Sequence, residues 1–202
     1  MKRLLILFSL ILVTGISAAS YAQVRNTEVI RAENYLKNLK TGKARFVQTT
    51  SDGREASGTF YLKRPGKLRF QYEKPSNDFV VADGLFIYFY DSEMEQQSNA
   101  PIGQTLADFI LRKDLKLSGD VTVQKVARAN GLIQILLTQT DDAGAGTLTL
   151  GFTEQPYQLK KWRVVDGAGG ITEVELFDLK TGMDLPNSLF VYRDPKPTGY
   201  NQ

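Results

Sequence analysis

Two pairs of carboxylates are the residues best spaced for chemistry. Asp141 is followed directly by Asp142, and Glu173 and Glu175 stand two apart, which on a strand places both on one face. Paired carboxylates can divide the roles of general acid and general base, provided that burial raises the pKa of one of them. Their usual helpers are missing. The 202 residues contain no Cys and no His, which excludes thiol nucleophiles, imidazole bases, Cys/His zinc sites, His-ligated haem and disulfides. Neither a Gly-x-Ser-x-Gly elbow nor a phosphate-binding loop occurs. Carboxylate pairs on strands mostly form a solvated face, so a carboxylate-dependent hydrolase is the weakest reading and the chain reads as a non-enzyme without cofactor or metal.

The N-terminus carries an address. Lys2 and Arg3 precede an almost wholly apolar stretch over 4–16, and Ser17-Ala18-Ala19-Ser20-Tyr21-Ala22 supplies small residues for cleavage after Ala22. The apolar run is too short for the roughly 20 residues that span a bilayer. Residues 1–22 therefore read as a secretory signal peptide and 23–202 as a single exported domain, expected in a bacterial periplasm. Without Lys2 and Arg3 the balance is 23 basic to 22 acidic side chains. That near-neutrality leaves no excess to neutralise a run of phosphates, so nucleic acid is not an expected partner.

The elements that must position any site are mostly strands. Asn26 or Thr27 can cap a helix whose Val29, Ala32, Leu36 and Leu39 recur at helical spacing until Thr41-Gly42 stops it. The period then becomes two. Strands are expected at 44–50, 56–63, 67–73, 78–82, 85–90, 121–128, 132–139, 147–152, 157–165, 171–179 and 188–192, with Asp-Gly and Asn-Gly turns that favour antiparallel hairpins. Leu68, Phe70 and Tyr72 alternate with Lys67, Arg69 and Gln71, so that strand has one wet face. The run Leu85-Phe86-Ile87-Tyr88-Phe89-Tyr90 is apolar on both faces and needs cover on each side. After the breaker at 99–103, a second helix over 104–115 presents Leu106, Phe109, Ile110 and Leu111. The loop at 141–146 reads as mobile and 194–202 as a loose tail. The resulting fold is mainly β with helices (α+β): a strongly curved antiparallel sheet of about 11 strands, with helices against its concave face.

Three ordered segments resemble the LolA-type periplasmic lipoprotein carriers: Ala44-Arg45-Phe46-Val47-Gln48, then Gly58-Thr59-Phe60-Tyr61-Leu62-Lys63-Arg64-Pro65-Gly66-Lys67-Leu68-Arg69-Phe70, then Val80-Val81-Ala82-Asp83-Gly84 leading into Leu85-Phe86-Ile87-Tyr88-Phe89-Tyr90-Asp91. The resemblance is continuous from about 31 to 115. It implies an incomplete β-barrel closed by a helical lid over an apolar cavity for lipoprotein acyl chains. It further implies an inner-membrane ABC-type complex as donor, an outer-membrane lipoprotein receptor as acceptor, and a monomeric carrier. In that family the Arg of Lys-Arg-Pro reaches the lid, a position matched by Arg64. The aromatic residue that follows is usually Trp and is Phe70 here, which keeps the apolar character and removes an N–H donor.

Phe46, Leu68, Phe70, Tyr72, Ile87 and Phe89 are accordingly the candidate cavity residues, and Pro101, Ile102, Leu106, Phe109 and Ile110 the candidate lid. The cavity candidates are equally the residues of an ordinary core, since a cavity wall is core surface left partly unfilled. Burying a methylene yields about 0.8 kcal/mol, so three 16-carbon chains could yield about 40 kcal/mol, against a practical ceiling of about 20. A carrier that captured all of it could not release its cargo. An apolar lid that fills the empty cavity would offset the gain. The alternative with the same fold is a sensor of lipid or mislocalised lipoprotein that reports to a membrane partner.

Overall fold

In the computed structural model, residues 17–104 and 107–195 are described. Residues 1–16 of the expected signal peptide, Leu106 and most of the expected tail lie outside them. Helix α1 (Ser17–Asn38) runs unbroken past the Asn26 or Thr27 start expected from capping, because neither Gly nor Pro interrupts it. Eleven strands follow among the described residues, ten of them where alternation and turn signals place them: β1 (Thr41–Thr50), β2 (Glu55–Lys63), β3 (Lys67–Tyr72), β4 (Phe79–Asp83), β5 (Phe86–Asp91), β6 (Gln96–Pro101), β7 (Val121–Ala129), β8 (Leu132–Gln139), β9 (Gly146–Glu154), β10 (Tyr157–Asp166) and β11 (Ile171–Thr181). Between β6 and β7 lie a 3-10 turn (Ile102–Gln104) and helix α2 (Ala107–Leu111).

The strands form one antiparallel sheet in the order β6-β5-β4-β3-β2-β1-β11-β10-β9-β8-β7. Two meanders are thus joined where β1 pairs with β11. The unpaired edges are β6 and β7, and the chain that connects them carries α2 across the opening. Inward residues come from every second position: Ala44 and Phe46, Phe60 and Leu62, Ile135 and Leu137, Leu148, Leu150 and Phe152 are all buried. Ala32 and Leu36 of α1 and Leu39 just beyond it pack into the same core, together with Phe109 and Leu111 of α2.

Four expectations need correction. The strand expected at 188–192 is a 3-10 turn (Asn187–Phe190), and it covers the outer face instead of pairing with the sheet. The breaker region contains a strand, β6. Its side chains are nearly all exposed, so hydrophobic alternation could not reveal a strand held by backbone pairing with β5. The second helix ends at Leu111, four residues early, because Leu115 and Leu117 are buried in an irregular segment whose Leu117 N–H donates to Glu33 Oε1 at 2.6 Å. Finally, β5 is not covered on both faces. Tyr90 is buried outward against Phe79, Val81 and Tyr192, whereas Leu85 is 75% and Phe89 40% exposed near the sheet edge. The loop at 141–146 holds a 3-10 turn (Ala143–Ala145) whose N–H groups of Gly144 and Ala145 donate to the Asp142 carboxylate.

Gly58 shows how tightly the sheet bends under its aromatic lining. A Cβ there would meet the Gln71 carbonyl oxygen at 2.1 Å and the Phe46 ring at 2.8 Å. Gly58→Ala is therefore expected to lower the unfolding free energy by at least about 1–3 kcal/mol in urea titration. Gly103→Ala, whose Cβ meets nothing within 4 Å, should stay within about 0.5 kcal/mol.

Candidate functional site

Strands β2 and β3 on one side, and β9 and β10 on the other, face each other across the concave side of the sheet. Phe60 and Phe70 are cross-strand partners on the first wall, with Leu68 beside them. Leu150 with Trp162 and Leu148 with Val164 pair on the second. Phe109 and Ile110 of α2 close the top, leaving an apolar cavity of about 140 Å³ between the walls and the helix. Its lining residues carry no charge. A void of similar size in an engineered protein holds one benzene molecule.

The walls meet through rings. Phe70 lies 5.0 Å from Phe46, 4.9 Å from Phe60 and 6.1 Å from Trp162, and Phe60 lies 5.7 Å from Trp162. Tyr72 packs edge-on to Phe46 at 5.1 Å and donates its hydroxyl to Gln48 Oε1 at 2.8 Å. Burial, then the nearby Asp78 charge, pushes the Tyr72 phenol up to about 12, with the Gln48 hydrogen bond acting against them.

Among the sequence candidates, Leu68, Phe70, Phe109 and Ile110 border the cavity, and Phe46 and Tyr72 support its aromatic wall. Ile87 packs against the same core. Phe89 is exposed and stands outside the cavity lining, as does exposed Pro101 at the end of β6. Ile102 is buried.

Sequence reasoning missed the second wall, above all Trp162, the only tryptophan in the chain. A signal was present. Apolar residues at 157, 159, 162 and 164 skip one position between 159 and 162, and the register of β10 shifts between Leu159 and Lys161. That irregularity turns Trp162 inward. The indole that the resemblance places at position 70 is absent there, and this one enters the same lining from β10.

Arg64, in the turn between β2 and β3, is 9% exposed. Its Nη1 donates to the carbonyl of Leu36 near the end of α1. Its Nη2 donates to the carbonyl of Arg112, one residue beyond α2, at 2.6 Å. Both acceptors belong to helix C-terminal ends, where carbonyls lack intrahelical partners and the helix dipole favours a cation. The backbone repeats the link, since Arg64 N–H donates to Lys40 O at 2.7 Å and Gly66 N–H to Leu111 O at 2.8 Å. Burial lowers the pKa of Arg64, yet a guanidinium stays protonated throughout the usual pH range. One side chain thus ties α1, the β2–β3 turn and α2 together. Arg112 adds a second tie, bridging Asp108 within the helix and Asp120 ahead of β7.

The candidate acid/base pairs lie elsewhere. Glu173 is paired with Lys161 at 2.6 Å and Glu175 with Lys160 at 3.1 Å on the outer face of the sheet. Among the described residues, no group of His, Cys, Asp and Glu is arranged to hold a metal ion. No helix among them is long and apolar enough to cross a membrane.

Comparison with known proteins gives a consistent outcome. The family described as "Outer membrane lipoprotein carrier protein LolA" matches residues 37–193. The chain is 28% identical over 183 residues to the outer-membrane lipoprotein carrier protein of Methylococcus capsulatus, covering 86% of this chain and 87% of that one. It is 27% identical over 202 residues to the carrier of the same name from Azotobacter vinelandii, covering 95% and 97%. The solved structure of an uncharacterized conserved protein from Thermus thermophilus shares the fold, with a TM-score of 0.51 at 14% identity over 86% of this chain and 96% of that one.

Two outcomes are expected. Arg64→Met leaves two helix-end carbonyls without their charged donor, at about 1.5–3 kcal/mol for each such bond. It should raise acrylamide quenching of Trp162 severalfold in folded protein, with Arg64→Lys intermediate because a point ammonium cannot span both acceptors. For Tyr72, a folded-state pKa above the unfolded one gives stability that is complete below pH 10 and is lost as pH rises to about 12. Tyr72→Phe should reduce the alkaline fall in unfolding free energy by up to about 3 kcal/mol, read from urea titrations at pH 9 to 12.

Proposed function

We infer that this chain, which belongs to the LolA family of outer-membrane lipoprotein carriers, is a periplasmic carrier that shields the acyl chains of lipoproteins between the inner and outer membranes. In this reading residues 1–22 direct export and are removed. Cargo arrives from an energised ABC-type complex of the inner membrane and passes to an outer-membrane lipoprotein receptor. No covalent chemistry is needed. The cargo's acyl chains occupy the space between the β2–β3 and β9–β10 walls, and α2 with the preceding turn acts as the lid.

The observation that carries the reading is the uncharged, ring-lined cavity under a short helix that Arg64 ties down at its end. At about 140 Å³ the closed cavity is far too small for a lipid anchor. Cargo can enter only if α2 moves, and the energies are commensurate. Ile102, Phe109 and Leu111 are buried, and exposing them costs roughly 5–9 kcal/mol. The charge-assisted hydrogen bond from Arg64 to the Arg112 carbonyl adds roughly 1.5–3 kcal/mol. One 16-carbon chain returns about 12 kcal/mol on burial. Opening thus consumes roughly half or more of what the first chain supplies, which keeps loading reversible and leaves most net affinity to the remaining chains.

The site has a built-in reporter. A triacylated lipopeptide with brominated acyl chains is expected to quench Trp162 fluorescence and to remain soluble as a one-to-one complex. Phe70→Glu places a charge in the apolar wall and should abolish both effects. Failure of the unsubstituted protein to bind the lipopeptide under any condition tested would reject the carrier reading.

A further inference from the structure

A larger cleft, of about 430 Å³, lies on the opposite face of the sheet, between the outer surface of β2–β4 and residues 188–193. Its walls include Tyr61, Arg69, Gln71, Ser188, Val191 and Arg193. Arg69 is half-buried there, and every partner it has is neutral. Its Nε and Nη2 donate to Gln71 Oε1 at 3.1 and 2.5 Å, its Nη1 to Leu189 O at 3.4 Å, and its guanidinium lies 4.9 Å from the Phe79 ring centre. Burial lowers its pKa, as expected of a partly desolvated cation that lacks a counter-charge.

The surrounding face repeats the pattern. Cross-strand register aligns Lys43, Tyr61 and Arg69 in one row and Arg45, Thr59 and Gln71 in the next. Lys43 lies over the Tyr61 ring and Arg45 over Phe177. Lys63 donates to Leu185 O and Lys67 to Asn187 Oδ1. Asp83, cross-strand from Lys67, accepts hydrogen bonds from the N–H groups of Leu85 and Phe86. Among the described residues, none of Lys43, Arg45, Lys63, Lys67, Arg69 and Arg193 takes part in an ion pair, although pairs of 2.6 to 3.1 Å form nearby between β10 and β11. A chain of near-neutral balance has therefore placed six cations without an ion pair on this face, two of which, Arg69 and Arg193, line the cleft.

We propose that this outer cleft binds the phosphate of an anionic phospholipid headgroup and so seats the convex face on a membrane surface. Two guanidiniums with the hydroxyls of Tyr61 and Ser188 offer donors from several directions, which suits the several oxygens of a phosphate better than the two of a carboxylate. Lys43, Lys63 and Lys67 meet the negative surface potential around it. Val191, 48% exposed at the lip, supplies an apolar contact. The site lies across the sheet from the acyl-chain cavity, so the proposal goes beyond the carrier reading and does not depend on it.

The test is co-sedimentation of purified protein, from cells expressing the full chain, with vesicles of phosphatidylcholine alone or mixed with phosphatidylglycerol. Expected is binding to the mixed vesicles at least tenfold tighter than to phosphatidylcholine, weakening with salt. Arg193→Glu, at an exposed position, should remove that preference, as should Arg69→Gln, with Trp162 emission unchanged to verify folding. Cavity-driven uptake is indifferent to headgroup charge. Equal binding to both vesicles, no binding to either, or a preference that survives both substitutions overturns the proposal. Binding of inorganic phosphate without vesicle binding overturns the headgroup as its source.

Discussion

A guanidinium in an apolar interior is tolerable only if its charge is met, and Arg64 meets it with two helix ends instead of a carboxylate. Those acceptors carry partial negative charge through the aligned peptides behind them. A carboxylate would have held the arginine more strongly, in a pair costly to break. Carbonyls give an attachment of intermediate strength, whose loss exposes polar groups that water can satisfy. The same contact joins α1, the β2–β3 turn and α2, so the position of the helix over the cavity and the packing of the N-terminal helix are not independent.

The topology explains why the opening lies where it does. Pairing of β1 with β11 joins the first and last strands, which moves the unpaired edges to the middle of the sequence, at β6 and β7. The connection between those edges must cross the gap, and it carries Phe109 and Ile110 over the cavity. Immediately after it, Leu115 and Leu117 are buried and Leu117 is bonded to Glu33 of α1. Helix α2 thus lies between that buried segment and the edge strand β6.

The two faces of the sheet have opposite characters for one reason. Strand alternation sends aromatic and aliphatic side chains inward and leaves lysines and arginines outward, as in Lys67 to Tyr72. Near β10 and β11 the outward cations are matched by Glu173 and Glu175, and near β1 to β3 they are not. Overall charge balance conceals that separation, because composition counts charges without placing them.

Much of this was legible in the linear chain. Strand positions followed from period-two alternation and Asp-Gly or Asn-Gly turns, and the missing Cys and His narrowed the chemistry before any fold was known. The exposed strand β6 was not legible, since a strand held by backbone pairing at an edge needs no hydrophobic pattern. Trp162 was hidden by a one-residue irregularity that reverses facing on β10. The sequence by itself determined which residues alternate, where the chain turns, and that Arg64 stands in the β2–β3 turn. Only the tertiary structure decided that this arginine reaches the ends of two helices, that β1 closes on β11, and that two aromatic walls face each other. Those relations join residues tens of positions apart, and local periodicity holds no information on which distant surfaces will meet when burial selects one packing.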